Sequence, residues 1–268
     1  MSGLKVLIRG AGEHASATGH RLFRCGMRVV MTEVEHPTAV RRTVSFCSAV
    51  FDGTCVVEGV SGRLWSRDEW VALEQGDLDH VPVFVDPEGL LVERFKPDAI
   101  VDARILKRND GNSTEQAPLV IGLGPGLLAG RDVHVVIETG RGHDLGRVIR
   151  TGFSAPDTGI PGPIAGFTIE RVLRAPCAGV LETLMAIGQR VNVGDVVCTV
   201  GGRPVESGIS GVLRGVVHHG VEVSANLKVG DVDPRGDPAF CFTISDKART
   251  ISGAVLEVIL SSFPPCWP

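Results

Sequence analysis

Ala178-Gly179-Val180-Leu181, followed by Ile187-Gly188 and Val193-Gly194-Asp195-Val196, has a near copy further along the chain. The copy reads Ser210-Gly211-Val212-Leu213, then Gly220, then Val229-Gly230-Asp231-Val232. Between the two lies Val200-Gly201-Gly202-Arg203-Pro204-Val205, where adjacent glycines supply the positive φ that a tight hairpin turn needs. Short apolar runs bounded by such turns read as strands. Two matching halves around a hairpin predict a pseudo-twofold β-structure over residues 175–233. The same stretch lacks one residue type: no lysine occurs between Lys107 and Lys228.

Those halves resemble the barrel-sandwich hybrid of biotinyl and lipoyl carriers. The resemblance implies a modified lysine on the hairpin, and this chain has none there. No biotin or lipoate is therefore expected. The expected role of the barrel is to dock or position a partner.

Outward from that stretch, residues 4–8 form a short apolar run and predict a buried strand. Gly10-Ala11-Gly12-Glu13-His14-Ala15 follows, then a predicted helix over 17–25 and a second strand over 28–32. Ser66-Arg67-Asp68-Glu69 is a capping box and predicts a helix running through Val71 to about Glu74. Strands are expected over 81–85 and 99–105, with a helix over 87–95 between them. Alternating strands and helices predict a Rossmann-like parallel sheet. Residues 107–117 are polar and turn-rich, and 119–121 and 133–138 read as strands. Gly122-Leu123-Gly124-Pro125-Gly126 predicts a sharp antiparallel connection, because 127–132 is short for a parallel crossover. Residues 154–166 read as a linker, 248–260 as a final helix and 264–268 as an irregular tail. The fold class expected is α/β plus β. It comprises a Rossmann-like domain over 1–110, a middle segment over 111–166, a lysine-free barrel over 167–246, and a C-terminal helix and tail over 247–268.

Composition narrows the function classes. A net charge of −4 gives no basic footprint for nucleic acid. No apolar run reaches the ~18 residues of a membrane span. The N-terminus shows no signal-peptide pattern, so a cytoplasmic location is the default expectation. The seven cysteines make no Cys-x-x-Cys pair, and no metal site is expected.

Gly10-x-Gly12-x-x-Ala15 has dinucleotide-binding spacing, after a strand and before a helix. Glu33 ends the next strand, where an acid accepts from a ribose hydroxyl and favours NAD. Arg41 of Arg41-Arg42-Thr43 is a candidate anion contact, since a guanidinium fork suits phosphate. Asp102 and Arg104 alternate along the strand over 99–105 and, with Lys107, are candidates for the same crevice. Arg141 and His143 are the catalytic candidates, for anion binding and proton transfer. His218-His219 points to opposite strand faces and reads as a surface pair. The absence of tyrosine removes a Tyr-Lys catalytic pair.

Several segments together resemble the YqeB-like family of accessory proteins encoded with selenium-dependent molybdenum hydroxylases. They are Ile8-Arg9-Gly10-Ala11-Gly12, Ala39-Val40-Arg41-Arg42-Thr43-Val44-Ser45-Phe46, Val57-Glu58-Gly59-Val60 and Asp102-Ala103-Arg104. Gly122-Leu123-Gly124-Pro125-Gly126, Glu138-Thr139-x-Arg141-Gly142-His143 and Lys228-Val229-Gly230-Asp231-Val232-Asp233-Pro234-Arg235 complete the set. The chain departs from the pattern at Glu13-His14. The resemblance implies maturation or loading of the molybdenum cofactor. Implied partners are the hydroxylase or its maturation proteins, with a homo-oligomer also open. NAD and the molybdenum cofactor are the two candidate ligands. An NAD-dependent oxidoreductase and a non-catalytic assembly scaffold stand as alternatives, so catalysis itself is left open.

Overall fold

The computed structural model describes residues 3–70, 73 and 78–263. The expected helix through Val71 to Glu74 therefore falls largely outside the described residues, as does the tail. The chain forms two compact units. The first gathers the described residues up to Glu35, Phe46–Asp157 and those from Ile244 on; the second takes His36–Ser45 and Thr158–Thr243.

The first unit is built on a nine-stranded sheet. Its strands are β1 (Lys5–Arg9), β2 (Arg28–Glu33), β3 (Thr54–Val57), β4 (Val60–Trp65), β5 (Val81–Val85), β6 (Ala99–Asp102), β7 (Leu119–Leu123), β8 (Val135–Ile137) and β9 (Val148–Ile149). Their spatial order is β3-β4-β5-β2-β1-β6-β7-β8-β9. From β4 to β8 neighbours run parallel, while β3 and β9 close the edges antiparallel. Helices α1 (Glu13–Arg24), α2 (Ala49–Asp52), α3 (Leu91–Phe95) and α4 (Asp246–Ser262) belong to the same unit. A parallel strand covered on both faces reads as an unbroken apolar run. Val6, Leu7 and Ile8, and Val29, Val30 and Met31, are accordingly buried. Leu7, Val30, Phe84, Ile100, Trp65 and Phe95 belong to one core cluster.

The chain passes from β1 through α1 to β2 on one side and later returns to β6 on the other. The strand order thus reverses between β1 and β6, the place where open α/β sheets form a crevice at their carboxyl ends. Arg9, Glu33 and Asp102 end the three strands that meet there.

The second unit contains two four-stranded antiparallel sheets. One has the order β10 (Val172–Arg174), β17 (Lys228–Asp233), β15 (Gly211–Val216), β12 (Arg190–Val191). The other has β14 (Arg203–Glu206), β13 (Val196–Val200), β11 (Gly179–Thr183), β16 (Glu222–Val223). The Gly201-Gly202 turn joins β13 to β14.

Three expectations are corrected. The first unit is a mixed sheet, not a parallel Rossmann-like domain. The β3–β4 hairpin turns on Glu58 and Gly59, both at positive φ, which gives the tight reversal needed for antiparallel pairing. The biotinyl/lipoyl-like barrel closed by a helix is overturned by two findings: the later strands form separate antiparallel sheets, and α4 belongs to the first unit. The repeat holds at Gly179 and Gly211, which open β11 and β15, and fails at its last motif. Val193-Gly194-Asp195 is a turn, with Gly194 at φ +87° and Asp195 accepting from Asn192 N at 2.7 Å. Val229-Gly230-Asp231-Val232 lies inside β17, where Asp231 is buried and ion-paired to Arg171. Finally, β7 and β8 pair parallel, because the whole span 124–134 serves as the crossover. Gly126 in that span has no room for a side chain, since a Cβ would stand 2.0 Å from the Lys107 carbonyl carbon. The chain therefore divides differently from a linear cut at 110, 166 and 246.

Candidate functional site

The glycine loop follows β1 directly. Gly10 takes φ +92°, and a Cβ there would meet Arg104 Cγ at 3.4 Å. Gly12 caps α1, with Ser16 N donating to its carbonyl at 2.8 Å. The loop comes close to Glu33, as its spacing implies, but the contact is internal. Ala11 N donates to Glu33 Oε2 at 2.8 Å, and Val34 N to Oε1 at 2.9 Å. The Ala11 carbonyl accepts from Cys47 N at 2.9 Å and Ser16 Oγ at 2.8 Å. Ala11 is completely buried as a result, and Ala15 lies buried in the first turn of α1. Burial pushes the Glu33 carboxyl up, and its two backbone donors only partly oppose this. A carboxylate of the chain thus sits on an amide that a pyrophosphate would use.

On the other side of β1, Asp102 is buried and accepts from Arg104 Nη2 at 2.8 Å, Arg104 Nε at 3.1 Å and Asn112 Nδ2 at 2.6 Å. Asn112 Oδ1 accepts from Arg9 Nη1 at 2.7 Å. Arg104 also reaches Asp110, at 3.1 Å to its carboxylate. Burial alone would raise the Asp102 carboxyl; Arg104 and Asn112 outweigh it and hold the group below its ordinary value. Burial likewise pulls the Arg9 guanidinium down, against the opposing pull of Asp102. Lys107, the third candidate of this stretch, pairs with Asp157 at 2.6 Å.

The other candidates are placed elsewhere. Arg41 is buried in the second unit, donating from Nη2 to Phe240 O at 2.7 Å and Thr243 O at 3.0 Å. Arg42 Nε donates to Val216 O at 2.8 Å, and Thr43 Oγ1 to Cys241 O at 2.5 Å. The Arg-Arg-Thr segment therefore pins residues 36–45 onto backbone carbonyls of the second unit. Arg141 forks onto Asp246 at 2.8 and 2.9 Å. Glu138, at the end of β8, accepts from Gly140 N at 2.5 Å and Ala155 N at 2.7 Å. His143 is exposed. His219 Nδ1 accepts from Thr183 N at 3.2 Å, and among the described residues no cluster suited to a metal ion occurs.

Sequence reasoning missed Arg9 and Asn112, which complete the strand-end network. Arg9 had a local signal, since it ends β1 beside Gly10; Asn112 had only its place in a polar loop. It also missed a cavity of about 210 Å³ lined by Ala17, His20, Arg21, Arg24, Cys25, Ile244, Arg249 and Ser252. The departing residue Glu13 accepts from Ser245 Oγ at 2.7 Å, which ties α1 to the cap of α4.

No family model matches the chain. It is similar to the uncharacterized protein YqeB of Escherichia coli (strain K12), with 45% identity over 255 residues, 95% of this chain and 47% of that protein. The chain spans about half the length of the curated relative it matches. This supports the resemblance to the YqeB-like family and says nothing of a molybdenum hydroxylase. Among solved structures it is similar to a succinylglutamatedesuccinylase/aspartoacylase from Rhodobacter sphaeroides, at 12% identity, covering 86% of this chain and 85% of that one, with a TM-score of 0.27. A second is the product-bound ectoine utilization protein EutE (DoeB) from Ruegeria pomeroyi, at 11% identity, 87% and 86% coverage and a TM-score of 0.25. At those scores neither fold nor activity carries over. Among the described residues no helix is long and apolar enough to cross a membrane.

Proposed function

We propose that the protein is an accessory factor that acts by binding, in maturation or loading of the molybdenum cofactor for a selenium-dependent molybdenum hydroxylase. The pathway rests on the resemblance to the YqeB-like family. The preference for binding over catalysis rests on one observation about the first unit. Glu33, Asp102, Arg104, Arg141 and the neighbouring Glu138 are each held by hydrogen bonds or ion pairs within the chain, and His143, the other catalytic candidate, is exposed. General acid–base chemistry needs a group within reach of a substrate proton. Groups already bonded within the chain favour an architectural role in a binding protein instead.

The same geometry speaks against NAD. Its ribose acid and a loop amide are bonded to each other, and Ala11 is closed over by Cys47. The phosphate of a nucleotide or pterin entering this loop must first displace the Glu33 carboxylate. The hydroxylase or one of its maturation proteins is the proposed partner, with self-association as a further arrangement. Native mass spectrometry of the protein with the hydroxylase, with a cofactor-containing extract and with NAD tests the reading. A stable complex with the hydroxylase, or a pterin adduct, is expected. An NAD adduct with NADH turnover, and no complex, overturns it.

A further inference from the structure

The cavity between α1 and α4 has a chemistry that the strand ends lack. Arg21 and Arg24 come from the last turn of α1, and Arg249 from the first turns of α4. Arg249 Nη2 lies 2.6 Å from Glu58 Oε1, which also accepts from Ile244 N at 2.8 Å. The Arg21 and Arg24 side chains have no hydrogen bond or ion pair among the described residues. No described residue lining the cavity carries a carboxylate. Three guanidiniums thus converge against one carboxylate just outside the lining.

The packing of α1 against α4 leaves room for it. At Gly253 of α4 a Cβ would stand 3.0 Å from Arg21 Nη1, so the missing side chain leaves the guanidinium its place. His20 is buried, with Nε2 3.3 Å from Glu58 O. Since a carbonyl only accepts, that nitrogen is the donor. Burial holds the ring below its ordinary value, against the opposing pull of Glu58.

The helix dipole favours cations in the last turn of α1, at about 0.3–1 kcal/mol each. It does not account for Arg249, which starts another helix. Nor are the terminal carbonyls short of donors. Cys25 N reaches Arg21 O at 3.1 Å, Gly26 N reaches Phe23 O at 2.9 Å, and Met27 N reaches Leu22 O at 3.2 Å. Like charges brought together around a concave space repel one another unless an anion enters.

We propose that this cavity is a binding site for a phosphate group, held by Arg21, Arg24 and Arg249. Guanidinium forks match phosphate oxygens in geometry as well as charge. The volume sets the size of the guest. Pockets for whole drug-sized ligands run to about 300–1,000 Å³. At about 210 Å³ this one takes the phosphate alone, free or as the end of an ester whose remainder stays in solvent. The site is separate from the strand ends and does not depend on a molybdenum hydroxylase being the partner.

Isothermal titration of the full chain with inorganic phosphate, and separately with ribose 5-phosphate, in a chloride buffer, tests it. Saturable binding of at least one is expected. Tighter binding of the ester assigns the site to an ester terminus, and tighter binding of phosphate to the free ion. Arg24 is exposed and has no hydrogen bond or ion pair among the described residues, so Arg24→Ala should leave the fold intact; it should weaken binding about tenfold, the loss of one charge-assisted contact. The Arg21→Gln/Arg24→Ala double variant should abolish it. Absence of saturable binding by the native chain overturns the proposal, and so does an unchanged affinity in Arg24→Ala and the double variant.

Discussion

At the strand ends of the first unit, Arg9 and Arg104 meet an amide oxygen and carboxylates; in the α1–α4 cavity, Arg21 and Arg24 meet neither among the described residues. Both regions use guanidinium groups, and solvent decides the difference. Arg9 and Asp102 are nearly inaccessible, and a buried charge without a partner costs several kcal/mol. Arg24 stands in water and carries no such penalty. At the strand ends burial therefore demands internal partners, while cations without a partner among the described residues around a concavity point to an outside anion. The glycine loop, which looks more like a ligand site in sequence, already has its anion in Glu33.

The sharpest break of that comparison is Asp102→Ala. It leaves Arg9, Arg104 and Asn112 around a missing acceptor, and urea unfolding should show a loss of about 3–5 kcal/mol. A loss below about 1 kcal/mol would mean that the network is not the structural element argued for it. Arg41→Ala comes next. Removing a buried guanidinium from the carbonyls of Phe240 and Thr243 should cost about 1–3 kcal/mol. If instead the urea midpoint stays native, Arg41 belongs with the uncommitted cations.

How far the sequence reaches can be seen in particular elements. β1, α1 and β2 are legible because a parallel strand buried on both faces leaves a continuous apolar run, as at Val6 to Ile8. β3 and β4 are not. Their exposure alternates, and the turn uses Glu58 at φ +42°, where no Asn-Gly or Asp-Gly signal marks it. The Val-Gly-Asp-Val repeat misleads because its first three residues serve once as a turn leading into β13 and once as strand within β17. For the site, Gly10, Glu33 and Asp102 do gather at neighbouring strand ends. What each touches is set by Cys47, Asn112 and Arg104, which no spacing rule brings in. Of the cavity cations, Arg21 and Arg24 are neighbours on one helix turn, but Arg249 lies too far along the chain for the three to make a motif.

Glu33 and Asp102 flank the same strand and should respond to pH with opposite signs. The folded-state value of Glu33 is raised, so its contribution is present below the ordinary carboxylate value and lost as pH rises through the raised one. Asp102 is lowered, so its contribution is present above the ordinary value and lost as pH falls through the lowered one. Urea midpoints across the acid range should therefore lose their decline on the less acidic side in Glu33→Gln and on the more acidic side in Asp102→Asn. Profiles parallel to the native one would remove the distinction between a carboxylate held by burial and amides and one held by a guanidinium.

The smallest effects separate pairing from commitment. Arg141 forks onto Asp246, but Asp246 is 73% exposed, and exposed pairs are worth about 0.2–1 kcal/mol. Arg141→Ala should fall in that range. Arg24→Ala should fall lower still, within about 0.5 kcal/mol of native, since no partner is lost. The sign is informative: relief of repulsion from Arg21 and Arg249 predicts a slight gain in stability in the absence of phosphate. Added phosphate should reverse it, because a ligand that binds only the folded state raises the native chain's midpoint more than that of the weaker-binding variant. If Arg24→Ala destabilises by as much as Arg41→Ala, Arg24 has an internal role, and the contrast between the two regions fails at its simplest point.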